Sequence, residues 1–347
     1  PGQSGPAFSP FQPQDRGFLV PRPAFASGAV ARPANRAKAV TAAHGRPIRS
    51  IACVGEVMIE LSPAGADTAR VGVAGDTYNT AVYLRRALPG AVEVAYVTAL
   101  GDEAMSARIL DALGNEGLSD RLIERRRGAV PGLYAISLDQ SGERSFTYWR
   151  STSAARTLFT PPCRVDLAAL DGFDLVYLSG ISLAILPPDV RTRLAEWIDA
   201  YRARGGQIAF DSNYRPRLWP DAATAQAAMM ALWQRTDVAL PSLDDEEALF
   251  GAEGETAVRD RLRSAGVTFG ALKRGASGPR ALDDGGQVLA VTPVVDVVDT
   301  TAAGDSFNAG FLAAYAGGAD LTAAMAAGHA LSAEVIRHPG AILPKPA

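Results

Sequence analysis

Asp299-Thr300-Thr301-Ala302-Ala303-Gly304-Asp305 stands between an apolar run at residues 294–298 and a segment with helical spacing. The apolar run predicts a strand, the small residues predict a tight turn, and the later spacing predicts a helix over 304–316. Such small side chains leave backbone amides unshielded, and a helix N-terminus adds about half a positive charge. The stretch therefore predicts a turn that binds an anion through the amides of Ala302, Ala303 and Gly304.

Strand and helix patterns alternate upstream of this turn, beginning at residue 51. This alternation predicts an α/β fold with a mostly parallel sheet, helices on both faces, and ligands at the carboxyl ends of the strands. The predicted strands are 51–59, 92–100, 175–178, 207–211 and 238–240, followed by two further strands and a short hairpin within 268–291. The predicted helices are 77–88, 103–113, 189–201, 222–233 and 321–336.

One region breaks the alternation. Residues 133–139 and 144–150 alternate polar and apolar side chains, and Gln140-Ser141-Gly142-Glu143 joins them, which predicts a β-hairpin. We therefore expect a single folded domain over 51–345 that carries a small β-appendage. The strands of this appendage are expected from about 57–74 and 121–150.

Charge is distributed unevenly along the 347 residues. Residues 1–50 carry seven cations and one acid, so the remainder has a net charge of −9. A body with that charge has no basic face suited to nucleic acid, and no apolar run has the length of a membrane span. The first 50 residues, rich in Pro, Ala, Gly and Arg, predict a disordered extension, with a transit peptide or included upstream sequence as alternatives.

The cysteines and histidines predict no metal centre. Cys53 and Cys163 lie 110 positions apart in apolar surroundings, as expected of small buried residues in a reducing compartment such as the cytoplasm. His44, His329 and His338 have neither zinc-site nor catalytic-triad spacing, and the last two are expected to be structural.

Asp305 is the candidate catalytic residue, because it follows the predicted anion-binding turn directly. In-line phosphoryl transfer needs charge stabilisation on the transferred group and a base for the attacking hydroxyl. The turn amides can supply the first requirement and Asp305 the second. An isolated aspartate at a helix start is more often a simple cap, but the whole stretch is far more specific. No Gly-Lys pair occurs in the chain, so a Walker A loop is excluded.

Two further stretches contain candidate ligand-binding residues. Gly75, Asp76 and Asn79 lead from a loop into a predicted helix, where they can approach a ligand and hydrogen-bond its hydroxyl groups; an ordinary capped helix is the alternative. Residues 272–278 end a strand with the cations Lys273 and Arg274 and then turn at two glycines, for which a solvated hairpin turn is the alternative.

These stretches resemble the signatures of the ribokinase-like (PfkB) carbohydrate kinases. The usual C-terminal pattern in that family is D-T-x-G-A-G-D, and this chain has Ala302 where glycine is common. The resemblance implies a three-layer α/β/α sandwich with a mostly parallel central sheet and a small β-sheet lid. It also implies that Asp305 is the catalytic base beside an anion hole, and that Asp299 and Thr301 are candidates for holding a monovalent cation. The implied ATP-binding residues are Asn213, Lys273, Gly275, Gly278 and Gly304.

The arginines indicate which sugar is bound. Arg150 ends the second hairpin strand, and Arg215 and Arg217 follow the strand at 207–211. Arginine forks bind carboxylates in a bidentate manner, so together they indicate an acidic sugar, although a solvated surface position is the alternative for each.

Residues 55–62, 131–134, 178–186, 213–219 and 243–246 resemble the branch of the family that phosphorylates 2-keto-3-deoxygluconate at its C6 hydroxyl. The resemblance covers residues 51–345. It implies that four further residues contact the substrate's carboxylate, keto group or hydroxyls, beside Gly75, Asp76, Asn79 and Asp305. These residues are Tyr134, Tyr148, Arg150 and Arg215.

The expected cofactors are ATP and Mg²⁺, with the metal bridging the phosphates. Residues 242–247 depart from the Asn-x-x-Glu by which many relatives organise the metal, so no metal-binding carboxylate is assigned. A dimer or higher homo-oligomer through the lid is expected from the resemblance alone.

The alternatives are a kinase for a neutral ketose such as fructose, a kinase for another sugar acid, and a sugar-binding regulator without activity. A regulator would be expected to lack the base, yet Asp305 is present. A nicotinamide-dependent oxidoreductase is disfavoured because no Gly-x-Gly-x-x-Gly follows the first strand.

Overall fold

The computed structural model of the protein describes residues 48–65, 67–138 and 144–345. The predicted disordered extension, apart from residues 48–50, lies outside the described residues, as do His44 and the hairpin connection 140–143. The strands are β1 Ser50–Val54, β2 Met58–Gly65, β3 Thr68–Ala74, β4 Glu93–Leu100, β5 Ser119–Arg125, β6 Gly132–Leu138, β7 Arg144–Trp149, β8 Leu175–Ser179, β9 Gln207–Asp211, β10 Val238–Ala239, β11 Ala271–Leu272 and β12 Arg280–Ala281. The helices are α1 Asp76–Ala87, α2 Ala104–Glu116, α3 Gly180–Ile185, α4 Pro188–Ala203, α5 Ala222–Trp233, α6 Leu243–Phe250, α7 Gly254–Ser264, α8 Ala303–Ala316 and α9 Leu321–Val335.

The central sheet has six strands in the order β10-β9-β8-β1-β4-β5, and all of its neighbouring strands pair in parallel. Its two faces are covered by separate apolar clusters, because side chains alternate across each strand. In β1, for example, Ala52 and Val54 belong to one cluster, while Ile51 and Cys53 belong to the other. The strand order reverses direction between β1 and β8, which opens a crevice at the carboxyl ends of these strands.

A second, four-stranded sheet has the order β3-β2-β6-β7. The outer pairs β2–β3 and β6–β7 are antiparallel, whereas β2 and β6 pair in parallel. The fold is thus a mostly parallel α/β sandwich with a small separate sheet, as predicted. We call this second sheet the small sheet.

The predicted strand 51–59 is instead two strands in different sheets. The chain leaves the central sheet after Val54 and enters the small sheet at Met58. At Gly55 the backbone passes close to α1, since a Cβ there would lie 2.2 Å from Thr77 Oγ1. The path of the chain between the two sheets therefore leaves no room for a side chain at this position. In the region 121–150, only the hairpin belongs to the small sheet, because β5 pairs with β4.

The predicted strand 294–298 is not formed. Its apolar residues are not buried, and Val295 is 95% exposed. The amide of Val298 bonds the Ile336 carbonyl at 2.8 Å instead of a neighbouring strand. Helices α3, α6 and α7 were not predicted. Within the described residues, no helix is long and apolar enough to cross a membrane.

Candidate active site

A cleft of about 1540 Å³ lies at the carboxyl ends of the central strands, beside the small sheet. It contains almost every residue that the sequence marked as a candidate. Asp299 and Gly278 do not line it, although Pro279 does. The candidates that do are Gly75, Asp76, Asn79, Tyr134, Tyr148, Arg150, Asn213, Arg215, Lys273, Gly275, Thr301, Ala302, Ala303, Gly304 and Asp305.

Asp305 lies half-buried in the first turn of α8. Asn79 Nδ2 donates to its Oδ2 at 2.8 Å, and Thr80 Oγ1 donates to its backbone carbonyl at 3.2 Å. Burial and the nearby charge of Asp76 raise the pKa of Asp305 well above the usual carboxylate range, despite the bond from Asn79. A carboxylate with a raised pKa is a stronger proton acceptor, as a general base requires.

The turn before Asp305 is held by the side-chain carboxylate of Asp299. Asp299 Oδ1 accepts from the Thr301 amide at 2.9 Å, and Asp299 Oδ2 accepts from the Gly340 amide at 2.7 Å. Ala302, at the helix N-cap, has a φ of 61° and a ψ of 17°, which is the left-handed region. The turn therefore adopts at Ala302 a conformation that favours glycine.

The three predicted anion-hole amides are not equivalent. The Ala303 amide donates to the Thr300 carbonyl at 3.1 Å, so it is already used inside the turn. Gly304 and Asp305 occupy the next positions of α8, where amides have no acceptor within the helix. The expectation that the turn binds an anion through the amides of Ala302, Ala303 and Gly304 is therefore corrected at Ala303.

Asp76 lies on the floor of the cleft at the start of α1. Its Oδ2 accepts from Ser179 Oγ at 2.5 Å and from Asn213 Nδ2 at 2.7 Å. Gly75 precedes it at a crossing where a Cβ would lie 2.3 Å from the Glu56 carbonyl oxygen, so only glycine fits. Asn213, predicted to bind ATP, thus contacts the predicted sugar-binding carboxylate.

Lys273 belongs to a buried polar cluster. Its Nζ donates to Asp211 Oδ2 at 2.6 Å and to Asn308 Oδ1 at 3.1 Å. Asn308 Nδ2 donates to the same Asp211 oxygen at 2.6 Å and to Tyr177 Oη at 3.0 Å. A Cβ on Gly304 would lie 3.5 Å from Nζ, so this ammonium lies beside the predicted anion-binding turn. Arg274 instead bonds the carbonyls of its own turn.

Two of the three arginines that indicate an acidic sugar, Arg150 and Arg215, have acidic partners in the chain. Arg150 donates from Nε to Glu56 Oε2 at 2.8 Å and also from Nη2 to that oxygen. Arg215 Nη1 donates to Asp245 Oδ1 at 3.1 Å. Arg150 Cζ lies 5.8 Å from the centre of the Tyr148 ring.

The tyrosines form an aromatic wall on the small sheet. The rings of Tyr134 and Tyr148 lie 5.7 Å apart, and the Tyr134 hydroxyl donates to Glu60. Burial and the nearby charge of Glu60 raise the pKa of Tyr134, so its hydroxyl stays protonated as a donor.

The acidic residues 244–247 lie in different surroundings. Asp244 and Asp245 line the cleft, and burial raises the pKa of Asp245. Glu246 is buried against Arg261, and burial raises its pKa to about 7. The described residues contain no group of three or more metal-ligating side chains.

Sequence reasoning missed Glu56, Ser179 and Asp211 as site residues. Ser179 and Asp211 are the last residues of β8 and β9, where an α/β sheet places its ligands. That position was a usable signal for Asp211, which ended a predicted strand. Glu56 has no such signal, because it lies inside the run 51–59, whose pattern predicts one continuous strand.

A parallel sheet with a carboxylate beside a helix N-terminus, in a cleft rich in polar side chains, is an arrangement suited to phosphoryl transfer to a small molecule. The pattern of the pfkB family carbohydrate kinases matches residues 48–347, and the chain belongs to this family. It is therefore a carbohydrate kinase.

The chain is 43% identical over 306 residues to a 2-dehydro-3-deoxygluconokinase of Escherichia coli K12, covering 86% of this chain and 98% of the relative. A fructokinase of Vibrio alginolyticus is more distant, with 27% identity over 268 residues covering 77% and 84%. Among solved structures, a 2-dehydro-3-deoxygluconokinase of Thermotoga maritima matches with a TM-score of 0.73 at 22% identity, covering 85% of this chain and 95% of that one. The structural likeness supports the fold.

Proposed function

We propose that the chain transfers the γ-phosphoryl group of ATP to the C6 hydroxyl of 2-keto-3-deoxygluconate, also called 2-dehydro-3-deoxygluconate. The observation that carries this proposal is the placement of Asp305 beside the anion-binding turn, in a cleft that also contains Arg150 and Arg215. The name of the 43% identical relative supports the same substrate.

Asp305 accepts the proton of the attacking hydroxyl in this proposal. Its raised pKa suits the role, because a carboxylate near its pKa at neutral pH is a competent base. Asn79 fixes the orientation of the carboxylate through Oδ2, which leaves Oδ1 to face the hydroxyl.

The charge of the transferred group is stabilised by the amides at Gly304 and Asp305 and by Lys273. Lys273 Nζ is held next to this turn by Asp211 and Asn308. Because these groups are fixed before the reaction, little reorganisation accompanies transfer.

The sugar acid would lie between Asp76 on the cleft floor and the aromatic wall of the small sheet. Asp76 and Asn79 are suited to hydroxyls, while Arg150 and Arg215 present the remaining donors of their guanidinium groups. The small sheet would cover the bound sugar and exclude water, so that ATP is not hydrolysed.

The residues present also fit Mg²⁺ bound to ATP. Asp244 and Asp245 give the cleft two carboxylates, the oxygen ligands that Mg²⁺ prefers when it is held mainly by phosphates and water. The metal would supply charge neutralisation between the phosphates. A monovalent cation near Asp299 and Thr301, a homo-oligomer through the small sheet, and a cytoplasmic location stay predictions.

A substrate panel tests the proposal. Purified protein with ATP and Mg²⁺ should consume ATP with 2-keto-3-deoxygluconate far faster than with fructose, ribose or gluconate. A preference for fructose would favour the fructokinase-like alternative. Sugar binding without ATP consumption would favour a regulator.

A further inference from the structure

The Glu56 carboxylate is buried beside the cleft without lining it. Glu56 is 1% exposed and lies between β1 and β2, where the chain passes from the central sheet to the small sheet. Its Oε2 accepts both hydrogen bonds from Arg150, and its Oε1 has no hydrogen-bond partner among the described residues. Arg150 is thus the cation on which this buried charge depends.

A buried carboxylate with a single cationic partner holds that partner firmly. Separating the two groups would leave an uncompensated charge away from water, which is costly. Arg150 therefore does not follow an incoming carboxylate by leaving Glu56. Arg150 stays bound to Glu56, and only the N–H groups that do not bond Glu56 are available to a ligand in the cleft.

The backbone of β6 packs closely against the Glu56–Arg150 pair. A Cβ on Gly132, the first residue of β6, would lie 2.6 Å from Glu56 Oε1 and 3.1 Å from Arg150 Cβ. Arg150 directly follows β7, so the pair fastens the end of this strand to the β1–β2 junction. One ion pair therefore connects two parts of the chain at the sugar end of the cleft, and the start of β6 packs against it.

We propose that Glu56 is a positioning residue for the sugar substrate: it fixes the Arg150 guanidinium and the end of β7 against the central sheet. The proposal rests on the kinase function above and deepens its sugar site. Because Glu56 compensates the charge of Arg150, the guanidinium acts there mainly as an oriented set of donors. Glu56 itself does not touch the reacting atoms.

The test compares Glu56→Gln with Glu116→Gln. The control removes the charge from another largely buried arginine–glutamate pair with two hydrogen bonds, Arg86 with Glu116, which lies outside the cleft. We expect Glu56→Gln to raise KM for the sugar about tenfold, as for loss of a charged hydrogen bond, and to leave KM for ATP within about twofold. Glu116→Gln should change neither constant.

A double-mutant cycle separates positioning from simple destabilisation. If Glu56 acts through Arg150, Glu56→Gln should add almost nothing to the KM of an Arg150→Ala enzyme. Additive effects, equal losses for sugar and ATP, or an unchanged KM in folded Glu56→Gln would each overturn the proposal.

Gly132→Ala provides a second route if Glu56→Gln does not fold. Its Cβ would displace the pair while keeping both charges, so KM for the sugar should rise and KM for ATP should not. An unchanged sugar KM would refute the role of the pair. If the wild type does not phosphorylate 2-keto-3-deoxygluconate, the proposed substrate is wrong. The ratios of variant KM to wild-type KM, measured with the best sugar of the panel, then still decide the role of Glu56.

Discussion

Asn79 Nδ2 donates to Asp305 Oδ2 at 2.8 Å, although the two residues are 226 positions apart in the chain. Asn79 lies in the first turn of α1, and Asp305 lies in the first turn of α8. The bond brings the two helix N-termini together, so the predicted sugar-binding stretch and the predicted anion-binding turn face one cleft. It also fixes the carboxylate that the proposed reaction uses as its base.

Replacing Asp305 by asparagine should lower turnover by roughly two to four orders of magnitude, because the base is lost while the bond from Asn79 can persist. Turnover with saturating sugar and ATP measures the effect. The matched control is Asp320→Asn, since Asp320 caps α9 by accepting from the Ala323 amide. If Asp305→Asn retained near-normal turnover, Asp305 would not be the base.

The same carboxylate should make the ligand-free protein less stable as the pH rises. The pKa of Asp305 is raised in the folded state, so the folded protein keeps a proton that the unfolded chain releases between the two pKa values. Stability therefore falls across that interval. Asp305→Asn removes this loss.

Thermal unfolding of both proteins without ligands, from mildly acidic to mildly alkaline pH, measures the difference. The variant should become progressively more stable than the wild type as the pH rises, and the difference should level off above the raised pKa. A wild type that gained stability over the variant with rising pH would contradict the shift.

The parts of the site that could be predicted are local in sequence. The turn before Asp305 and the loop at Gly75 can be recognised in the sequence by small residues that precede a helix. Both line the cleft. Partners across the fold could not be predicted in this way. Nothing near Arg150 in sequence points to Glu56, because their pairing depends on the junction between two sheets.

The errors in the fold have a similar cause. An apolar run forms a buried strand only if another part of the fold covers it. Residues 294–298 are not covered in this way, because Val295 is 95% exposed. The first residues of the run 51–59 belong to β1 of the central sheet, and the last two belong to β2 of the small sheet. Periodicity alone does not reveal where one sheet ends and the next begins.

Ala302→Gly should stabilise the protein, because Ala302 holds a left-handed conformation that costs an L-residue roughly 1–2 kcal/mol and costs glycine little. Greater freedom of glycine in the unfolded chain offsets part of this, so we expect a net gain of about 1 kcal/mol. Chemical denaturation measures the gain. Ala303→Gly, at a helical position of the same turn, is the control and should destabilise.

Lys273 and Arg274 are adjacent cations, yet the structure gives them different surroundings. Lys273 Nζ stands beside the anion-binding turn, whereas the Arg274 guanidinium bonds the Gly278 and Ser277 carbonyls and Glu255. We therefore expect Lys273→Met to raise KM for ATP and to lower turnover, each by about tenfold or more, because the charge that we propose to meet the phosphates is lost.

Arg274→Gln should mainly destabilise the turn at 275–278 and leave KM for ATP within about threefold, since its donors are used inside the chain. Steady-state kinetics with ATP varied, together with thermal unfolding of each variant, distinguishes the two outcomes. Asp211 keeps its bond from Asn308 Nδ2 in the Lys273→Met protein, which limits the structural damage. If Arg274→Gln impaired ATP binding more than Lys273→Met did, the phosphates would lie nearer to the 275–278 turn than to Gly304. The proposed contact between Lys273 and the phosphates would then be wrong.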